Sequence, residues 1–239
     1  MNPYKKSILI VDSETNTRQT LTEHLIYLKY EVFSSINGTE AFDIINNEDV
    51  HLIILDILLP KIDGFEVCRK IRKTSNIPII ILTALDNLAI RVMSLELGAD
   101  DFITKPFSLK EVEIRINYNL RRSSFQKFKK LPKRQEIFHF GSLTINLTKQ
   151  QILRNNKQCL LTGIEYSLLK LLIQNAGRKL SRATILDNIW GYTPERKIDT
   201  RIVDVHIYQL RLKLEENPKR PDFILTVRGI GYMFQTLNL

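Results

Sequence analysis

The sequence predicts two domains of different class: a doubly wound α/β domain with a five-stranded parallel sheet, then an α+β winged helix-turn-helix domain. Three observations predict this division. Short, wholly apolar runs alternate with amphipathic stretches over the first 120 residues. A basic segment without apolar periodicity follows, and after it come turn signals, three helical patterns and a terminal hairpin pattern. A chain of 239 residues is long enough for two domains of ordinary size.

The first domain rests on five predicted strands. Strands that are apolar along their whole length are typical of a parallel sheet covered on both faces, and helical patterns between them indicate β-α repeats. The predicted strands are 7–11, 31–34, 52–55, 77–82 and 101–103. The predicted helices lie near 15–28, 37–46, 64–72, 88–97 and 108–121.

The second domain begins with short segments separated by turn signals over 139–162, which predict a small antiparallel sheet. Three helices are predicted, from the Thr162 capping box to about Asn175, near 181–190 and near 200–214. Residues 223–235 form the pattern of two strands around an Arg-Gly turn, a hairpin. Three helices and a terminal hairpin are typical of a winged helix-turn-helix.

The charge is divided unevenly between the two halves. The net charge is +9, but residues 1–120 carry 13 Lys and Arg against 17 Asp and Glu, whereas 121–239 carry 22 against 9. This asymmetry favours an anionic partner for the second half, nucleic acid before membrane. We expect domains at 1–121 and 137–239, joined by a basic, solvated linker at 122–136. No apolar run approaches the roughly 20 residues that span a bilayer, so no membrane partner is expected.

Polar residues end the predicted strands of the first domain. Asp12 follows strand one, Asp56 strand three and Thr83 strand four, and Lys105 follows strand five. Functional groups gather at the carboxyl ends of an open α/β sheet, so these side chains should converge where Asp56 leaves the core and meets solvent. Paired carboxylates beside a lysine suit Mg²⁺ and phosphoryl transfer, and a carboxylate can be the covalent phosphoryl acceptor.

The motifs "ILIVDSE", "LIILDILLPKIDGFEV", "IIILTAL" and "GADDFITKPF" resemble the receiver domains of two-component response regulators over residues 7–121. The resemblance implies that Asp56 is phosphorylated by a histidine kinase and that Asp12 and Asp56 hold Mg²⁺. Thr83 and Lys105 would contact the phosphoryl group, and Phe102 would be the switch aromatic. The Lys105-Pro106 peptide would be cis.

One position departs from the receiver pattern. Receivers usually carry two adjacent acids after strand one, and here the second is Ser13, which should weaken the Mg²⁺ site. The alternative is therefore a phosphorylation-independent DNA-binding regulator that uses its receiver only for dimerisation.

An enzyme is not expected. Aspartyl phosphatases usually have a second Asp where this chain has Leu58, a dinucleotide enzyme needs a Gly-rich turn after strand one, and no His/Cys cluster indicates a metalloenzyme.

The third helix of the second domain shows two faces. With Val203 at the centre of the buried face, the periodicity places Arg201, Val205, Tyr208, Gln209 and Leu212 on the outward face. In a major groove Val205 could touch a thymine methyl, and Arg201 and Gln209 could reach base edges or phosphates. The alternative is a surface helix with two stray apolar residues.

The stretches "LTGIEYSLLKLLIQNAGRKLSRATILDNIWGY" and "DTRIVDVHIYQLRLKLEENP", with "ILTVRGIGYMF", resemble the effector domain of the OmpR/PhoB subfamily over 137–236. The resemblance implies a homodimer formed on phosphorylation, double-stranded promoter DNA as a partner, contact with RNA polymerase through the loop 191–199, and a wing at Thr226-Val-Arg228-Gly229. It implies DNA contacts from Arg201, Val205, Tyr208, Gln209, Arg211, Thr226 and Arg228. The subfamily often has two arginines at the Tyr208 and Gln209 positions, so its base preference does not carry over.

Two further implications follow from the resemblance. "RVMSLELGADDF" and "KEVEIRI" resemble the face on which this subfamily dimerises, with candidate ion pairs from Arg91, Asp100, Asp101, Glu111 and Arg115; the alternative is unpaired solvated charge. The motifs "WGYTPER" and "DTRIVDVHI" are most similar to those of the chloroplast-encoded regulators of red algae and their cyanobacterial counterparts. That similarity implies that the protein is located in a plastid, in the chloroplast stroma, or otherwise in a bacterial cytoplasm.

Overall fold

The computed structural model describes residues 5–85, 87–124, 137–191 and 200–235, and the chain divides into two units, Met1–Ser123 and Ser124–Leu239. In the described part of the chain, no helix combines the length and apolarity needed to cross a membrane.

The first unit is built on a five-stranded parallel sheet in the order β2-β1-β3-β4-β5. Its strands are β1 (Ser7–Val11), β2 (Glu31–Ser35), β3 (Leu52–Asp56), β4 (Ile79–Thr83) and β5 (Asp101–Thr104). Every residue of β1, β3 and β4 is buried, which is why these strands are apolar throughout rather than alternating. The doubly wound fold class is confirmed, and the order reverses between β1 and β3.

Five helices connect and cover these strands: α1 (Thr15–Tyr27), α2 (Gly38–Asn47), α3 (Gly64–Arg72), α4 (Leu88–Glu96) and α5 (Leu109–Ser124). Asn37, Asp63 and Asn87 cap α2, α3 and α4 by accepting hydrogen bonds from backbone N–H groups of the first turn. The core includes leucines of α1 and apolar residues of α5 packed against β1, β3 and β4. The carboxyl ends of the strands are thereby left as the polar edge.

The second unit begins with an antiparallel sheet of β6 (Ile137–Phe140), β7 (Leu143–Asn146), β8 (Gln151–Arg154) and β9 (Lys157–Gln158). The helices are α6 (Gly163–Gln174), α7 (Arg182–Trp190) and α8 (Arg201–Leu214). The predicted capping box is present, because Thr162 and Glu165 bond each other's backbone N–H groups. The winged helix-turn-helix class is confirmed.

A three-stranded sheet closes the second unit in the order β10-β12-β11. The predicted hairpin is formed by β11 (Ile224–Val227) and β12 (Gly231–Phe234). The sequence did not predict β10 (Leu180–Ser181), because two residues are too few to show an alternating pattern. A Cβ on Gly231 would lie 2.2 Å from the carbonyl oxygen of Leu180, so glycine is what lets β12 approach β10 this closely.

Candidate functional site

Three charged side chains meet at the carboxyl edge of the first unit's sheet. The Nζ of Lys105 lies 2.8 Å from Oδ2 of Asp12 and 2.9 Å from Oδ2 of Asp56. Asp12 directly follows β1, Asp56 is the last residue of β3, and Lys105 directly follows β5. The structure therefore brings together the two carboxylates and the ammonium that the strand ends predicted. The Lys105-Pro106 peptide is cis, as the resemblance implied.

Asp56 is nevertheless a buried charge, and the expectation that it meets solvent was wrong. Asp56 is 4% exposed and Asp12 only 1%. The reason is that the chain folds back over the strand end: the N–H of Leu58 donates to Oδ1 of Asp56 at 3.0 Å, and α3 begins beside it. A Cβ on Gly64 would lie 2.2 Å from the carbonyl oxygen of Asp56, so glycine permits this close approach. Lys105 offsets the charge that burial would otherwise penalise.

The protonation of the site reflects two carboxylates sharing one ammonium. Burial raises the pKa of Asp12, an effect that the hydrogen bond from Lys105 opposes and the charge of Asp56 reinforces. Burial alone would lower the pKa of Lys105, but its hydrogen bonds to Asp12 and Asp56 raise the value overall. Lys105 is thus held as an ammonium, and the buried edge keeps an excess of negative charge.

The hydroxyl of Ser13 bonds to the loop that follows Asp56. Its Oγ donates a hydrogen bond to the carbonyl oxygen of Leu58 at 3.2 Å. The next residue, Glu14, approaches Lys105 instead, with Oε2 3.4 Å from Nζ and 2.7 Å from the hydroxyl of Thr17. These contacts, first that from Thr17 and then that from Lys105, lower the pKa of Glu14. Glu14 was not among the site residues predicted from the sequence, although the motif "VDSE" places it close to Asp12.

The site fits a divalent cation of the oxygen-binding kind. Two carboxylates around one ammonium leave uncompensated negative charge, and Mg²⁺ commonly uses one or two carboxylates together with waters and phosphate oxygens. Within the described residues, no group of three or more His, Cys, Asp or Glu side chains is arranged to hold a metal ion. Asp12 and Asp56 would be the charged ligands of a cation held beside Lys105.

Thr83 ends β4, the strand that pairs with the strand of Asp56, and Phe102 lies on β5, one strand further along the sheet. Thr83 is 2% exposed, and its hydroxyl oxygen accepts the N–H of Leu85 at 3.1 Å. Phe102 is 8% exposed and therefore buried. The guanidinium of Arg91 on α4 stacks on this ring, 4.8 Å from its centroid. Arg91 therefore ties α4 to the strand that carries Phe102.

Of the residues proposed for a dimer face, most already have contacts within the chain. Arg115 lies 3.4 Å from Asp101 and 3.4 Å from Glu111. Asp100 differs from the other candidates, because its carboxylate pairs with Arg72 of α3 at 2.6 Å and not with another residue of the proposed face. Its Oδ2 also accepts the N–H of Ile79 at 2.9 Å. Asp100 therefore joins the ends of β4 and β5 to α3, a role that adjacent acids in sequence do not reveal.

The outward face of α8 carries Arg201 and Tyr208 but not Val205. Arg201 is exposed, Tyr208 is 43% exposed and Gln209 is half-buried. Val205 is only 9% exposed, which contradicts its predicted outward position. Helical periodicity assumes one direction of burial, whereas α8 packs on α6, on α7 and beside the hairpin, so its buried arc is wider.

Arg211 and Thr226, two predicted DNA contacts, contact each other. The guanidinium of Arg211 donates to Thr226 Oγ1 at 2.9 Å and to the carbonyl oxygen of Ile224, and it stacks on Tyr232. Burial raises the pKa of Tyr232 to about 12, so its hydroxyl keeps the proton that it donates to Asp204 at 2.6 Å. Arg211 thus anchors the hairpin to α8.

The hairpin turn presents its arginine to solvent. Arg228 is exposed, and Gly229 has a φ of 74°, a left-handed conformation that favours glycine. In the predicted polymerase-contact loop, Gly191 ends α7, and 192–199 lie outside the described residues.

Comparison with known proteins matches both halves of the chain. The family described as "Response regulator receiver domain" matches residues 8–117, and the family described as "Transcriptional regulatory protein, C terminal" matches 156–234. The chain is 51% identical to "Probable transcriptional regulator ycf27" of Cyanophora paradoxa, and the match covers 98% of each protein. A protein of the same description from Porphyridium aerugineum is 49% identical, again over 98% of each.

A solved structure supports the same assignment. The response regulator DrrB, described as a Thermotoga maritima OmpR/PhoB homolog, matches with 30% identity and a TM-score of 0.51, over 97% of this chain and 99% of that one. The chain therefore belongs to the OmpR/PhoB-type two-component response regulators, DNA-binding transcriptional regulators in which a receiver domain precedes a winged helix-turn-helix domain.

Proposed function

We propose that this regulator is switched by phosphorylation of Asp56, with a histidine kinase as phosphodonor, and that phosphorylation promotes its dimerisation on promoter DNA. The observation that carries the proposal is the ammonium of Lys105 held 2.8 and 2.9 Å from the carboxylates of Asp12 and Asp56. A carboxylate paired with an ammonium has a positive charge in place for the oxygens of a phosphoryl group.

The chemistry of the step follows from these groups. The carboxylate of Asp56 attacks the phosphorus, a P–O bond forms, and the donor's P–N bond breaks as its imidazole leaves. Lys105 offsets the charge added at Asp56, and the Thr83 hydroxyl, now bonded to Leu85, is the neighbouring donor for a phosphoryl oxygen. Receivers normally bind Mg²⁺ at their phosphorylation site; when bound it neutralises phosphoryl charge. Asp12 and Asp56 would hold the ion, more weakly here because Ser13 replaces an acid.

The added phosphoryl charge would shift a population of states that already exist. Drawing Thr83 towards Asp56 would change the packing of β4 against β5, the strand of Phe102, whose ring packs against Arg91. We propose that the dimer then forms through α4, β5 and α5, where Arg91, Asp101, Glu111 and Arg115 would exchange their partners within the chain for partners across a two-fold axis.

The remaining assignments are likewise proposals. The effector domain reads DNA through Arg201, Tyr208, Gln209, Arg211, Thr226 and Arg228, and the loop 191–199 contacts RNA polymerase. We place the domains at 1–121 and 137–239, with 122–136 as the linker. We infer a regulator rather than an enzyme, with no membrane partner, acting in a plastid stroma or otherwise a bacterial cytoplasm; the ycf27 relatives support the plastid.

The test is sedimentation velocity of the full-length protein before and after treatment with phosphoramidate and Mg²⁺. The wild type should gain dimer in sedimentation and about 80 Da, the mass of one phosphoryl group, in intact-protein mass spectrometry, and Asp56→Asn should gain neither. Asp63→Asn is the matched control, because Asp63 is exposed in the same domain and Asn can keep its capping role. An equal gain in Asp56→Asn would show that another residue is the acceptor.

A second candidate is regulation without phosphorylation, in which the receiver serves only for dimerisation. Ser13 favours it, because the hydroxyl is committed to the carbonyl of Leu58 and adds no charge to the cation site. Absence of labelling at every Mg²⁺ concentration, with dimer present regardless, would establish this alternative.

A further inference from the structure

The outward face of α8 carries two apolar side chains where a solvated helix would carry polar ones. Tyr208 is 43% exposed and Leu212 is 45% exposed, while seven other residues of the helix are buried in their own domain. The two lie four residues apart and so share one face, to which Arg201 also belongs. Val205, which periodicity alone assigns to this face, is buried and does not extend the pair.

The surroundings of the pair indicate what covers it. Arg201 is exposed on the same helix face, and Arg228 is exposed at the turn of the hairpin that Arg211 anchors to α8. Residues 121–239 carry an excess of 13 positive charges. Apolar side chains within a cationic surface suit duplex DNA as the ligand. Its phosphates are anionic, and its base edges carry isolated apolar groups.

In the major groove the thymine C5-methyl is the apolar group on the base edges, which otherwise present hydrogen-bond donors and acceptors. We infer that Tyr208 and Leu212 each contact a thymine methyl and that the chain therefore selects half-sites with two thymines about two base pairs apart. The inference rests on the proposed reading of DNA by α8. Four residues of helix span about 6 Å, close to two base-pair steps of about 3.4 Å.

The test begins with selection of the bound sequence. The full-length protein is used to enrich a randomised 25-bp duplex library, and each thymine of the enriched site is then replaced singly by deoxyuridine. That replacement removes only the methyl group. Wild-type affinity should fall about three- to five-fold at two thymines of each half-site, as expected for loss of one buried methyl contact, and should be unchanged at the others.

The variants assign each thymine to a side chain. Leu212→Ala should lose the response to deoxyuridine at one of the two positions and Tyr208→Ala at the other, whereas Tyr208→Phe, which keeps the ring, should respond as the wild type does. Leu160→Ala is the matched control, because Leu160 is a 62% exposed leucine of the same domain outside α8. It should retain both responses.

Two results would overturn the inference. One is an enriched site at which the wild type responds to no thymine replacement; the other is a Leu212→Ala variant that responds as the wild type does at every position. In either case the protein still selects DNA, so the proposed reading of DNA stands. A library that yields no enriched sequence would overturn both the inference and the DNA-reading role.

Discussion

Replacing Ser13 by aspartate should tighten the binding of Mg²⁺ and destabilise the metal-free protein. The Ser13 hydroxyl now donates to the carbonyl oxygen of Leu58, while Asp12 and Asp56 share the single ammonium of Lys105. A carboxylate at position 13 cannot donate that hydrogen bond. It would also add a negative charge to an edge that already has an excess of it.

The size of both effects follows from the charges. Two unit charges about 4 Å apart interact by roughly 4 kcal/mol at an effective dielectric near 20, and desolvation offsets most of this. A remainder of about 1.4 to 2.8 kcal/mol corresponds to roughly 10- to 100-fold tighter Mg²⁺ binding. The lost hydrogen bond and the added repulsion should lower the free energy of unfolding of the metal-free protein by about 1 to 3 kcal/mol.

Isothermal titration calorimetry with Mg²⁺ measures the first effect, and thermal melts with and without Mg²⁺ measure the second. Ser13→Asp should melt below the wild type without metal and gain more from Mg²⁺, since a tighter ligand stabilises the folded state more. Ser13→Asn is the matched control, being close to aspartate in shape but neutral, and it should not gain affinity. Superimposable Mg²⁺ titrations of wild type and Ser13→Asp would refute the reasoning.

Three further predictions concern the carboxylate Asp12 in the first unit and two arginines, Arg211 and Arg228, in the second. Burial raises the pKa of Asp12, so the folded state loses stability as the pH rises from the unfolded pKa through the raised folded value. Asp12→Asn should therefore have a higher urea midpoint than the wild type at pH 7, and the difference should vanish at pH 3. An unchanged midpoint at pH 7 would contradict this. Arg211→Ala removes the hydrogen bonds to Ile224 and Thr226, so the free energy of unfolding should fall by about 1.5 to 3 kcal/mol and DNA affinity should fall with it; a variant of wild-type stability would show that the anchor is dispensable. Arg228→Ala should weaken binding to all sequences alike and reduce the salt dependence by about one phosphate contact, measured by fluorescence anisotropy over a salt series; a change confined to one sequence would assign it to base reading instead.

The positions of strands could be predicted from the sequence where an uninterrupted apolar run marks the strand. The strands β1, β3 and β4 are buried on both faces, so their apolar runs mark them almost to the residue. The predicted start of β4 at residue 77 was early by two residues, because Pro78 has no N–H to donate to a neighbouring strand. β10 escaped prediction because its pairing with β12 depends on the close approach at Gly231, which is a tertiary contact.

The candidate site could be predicted in its membership but not in its environment. Strand ends identify Asp12, Asp56 and Lys105, because the topology of a parallel sheet brings those ends together. Whether Asp56 is exposed depends instead on how the following loop returns, and here Leu58 and the start of α3 cover it. Glu14 lies beyond the end of β1, so the rule that selects strand-end residues does not select it, and its contact with Lys105 depends on where both side chains point.

The contacts of the proposed dimer face bear on how phosphorylation could control association. Arg115 is 5% exposed and lies near Asp101 and Glu111 of its own chain, so an ion pair across a dimer would replace an existing one rather than add one. Exchange of one such buried pair, with side-chain exposures of 6% and 3%, for another contributes little net free energy, because the cost of removing both charges from water and the attraction between them are present before and after the exchange. A weak intrinsic preference for the dimer is what a switch requires: to move an equilibrium from 1:99 to 99:1 the signal must supply about 5.5 kcal/mol. A strong ion-pair network gained only on association would populate the dimer before Asp56 was modified and leave phosphorylation little to change.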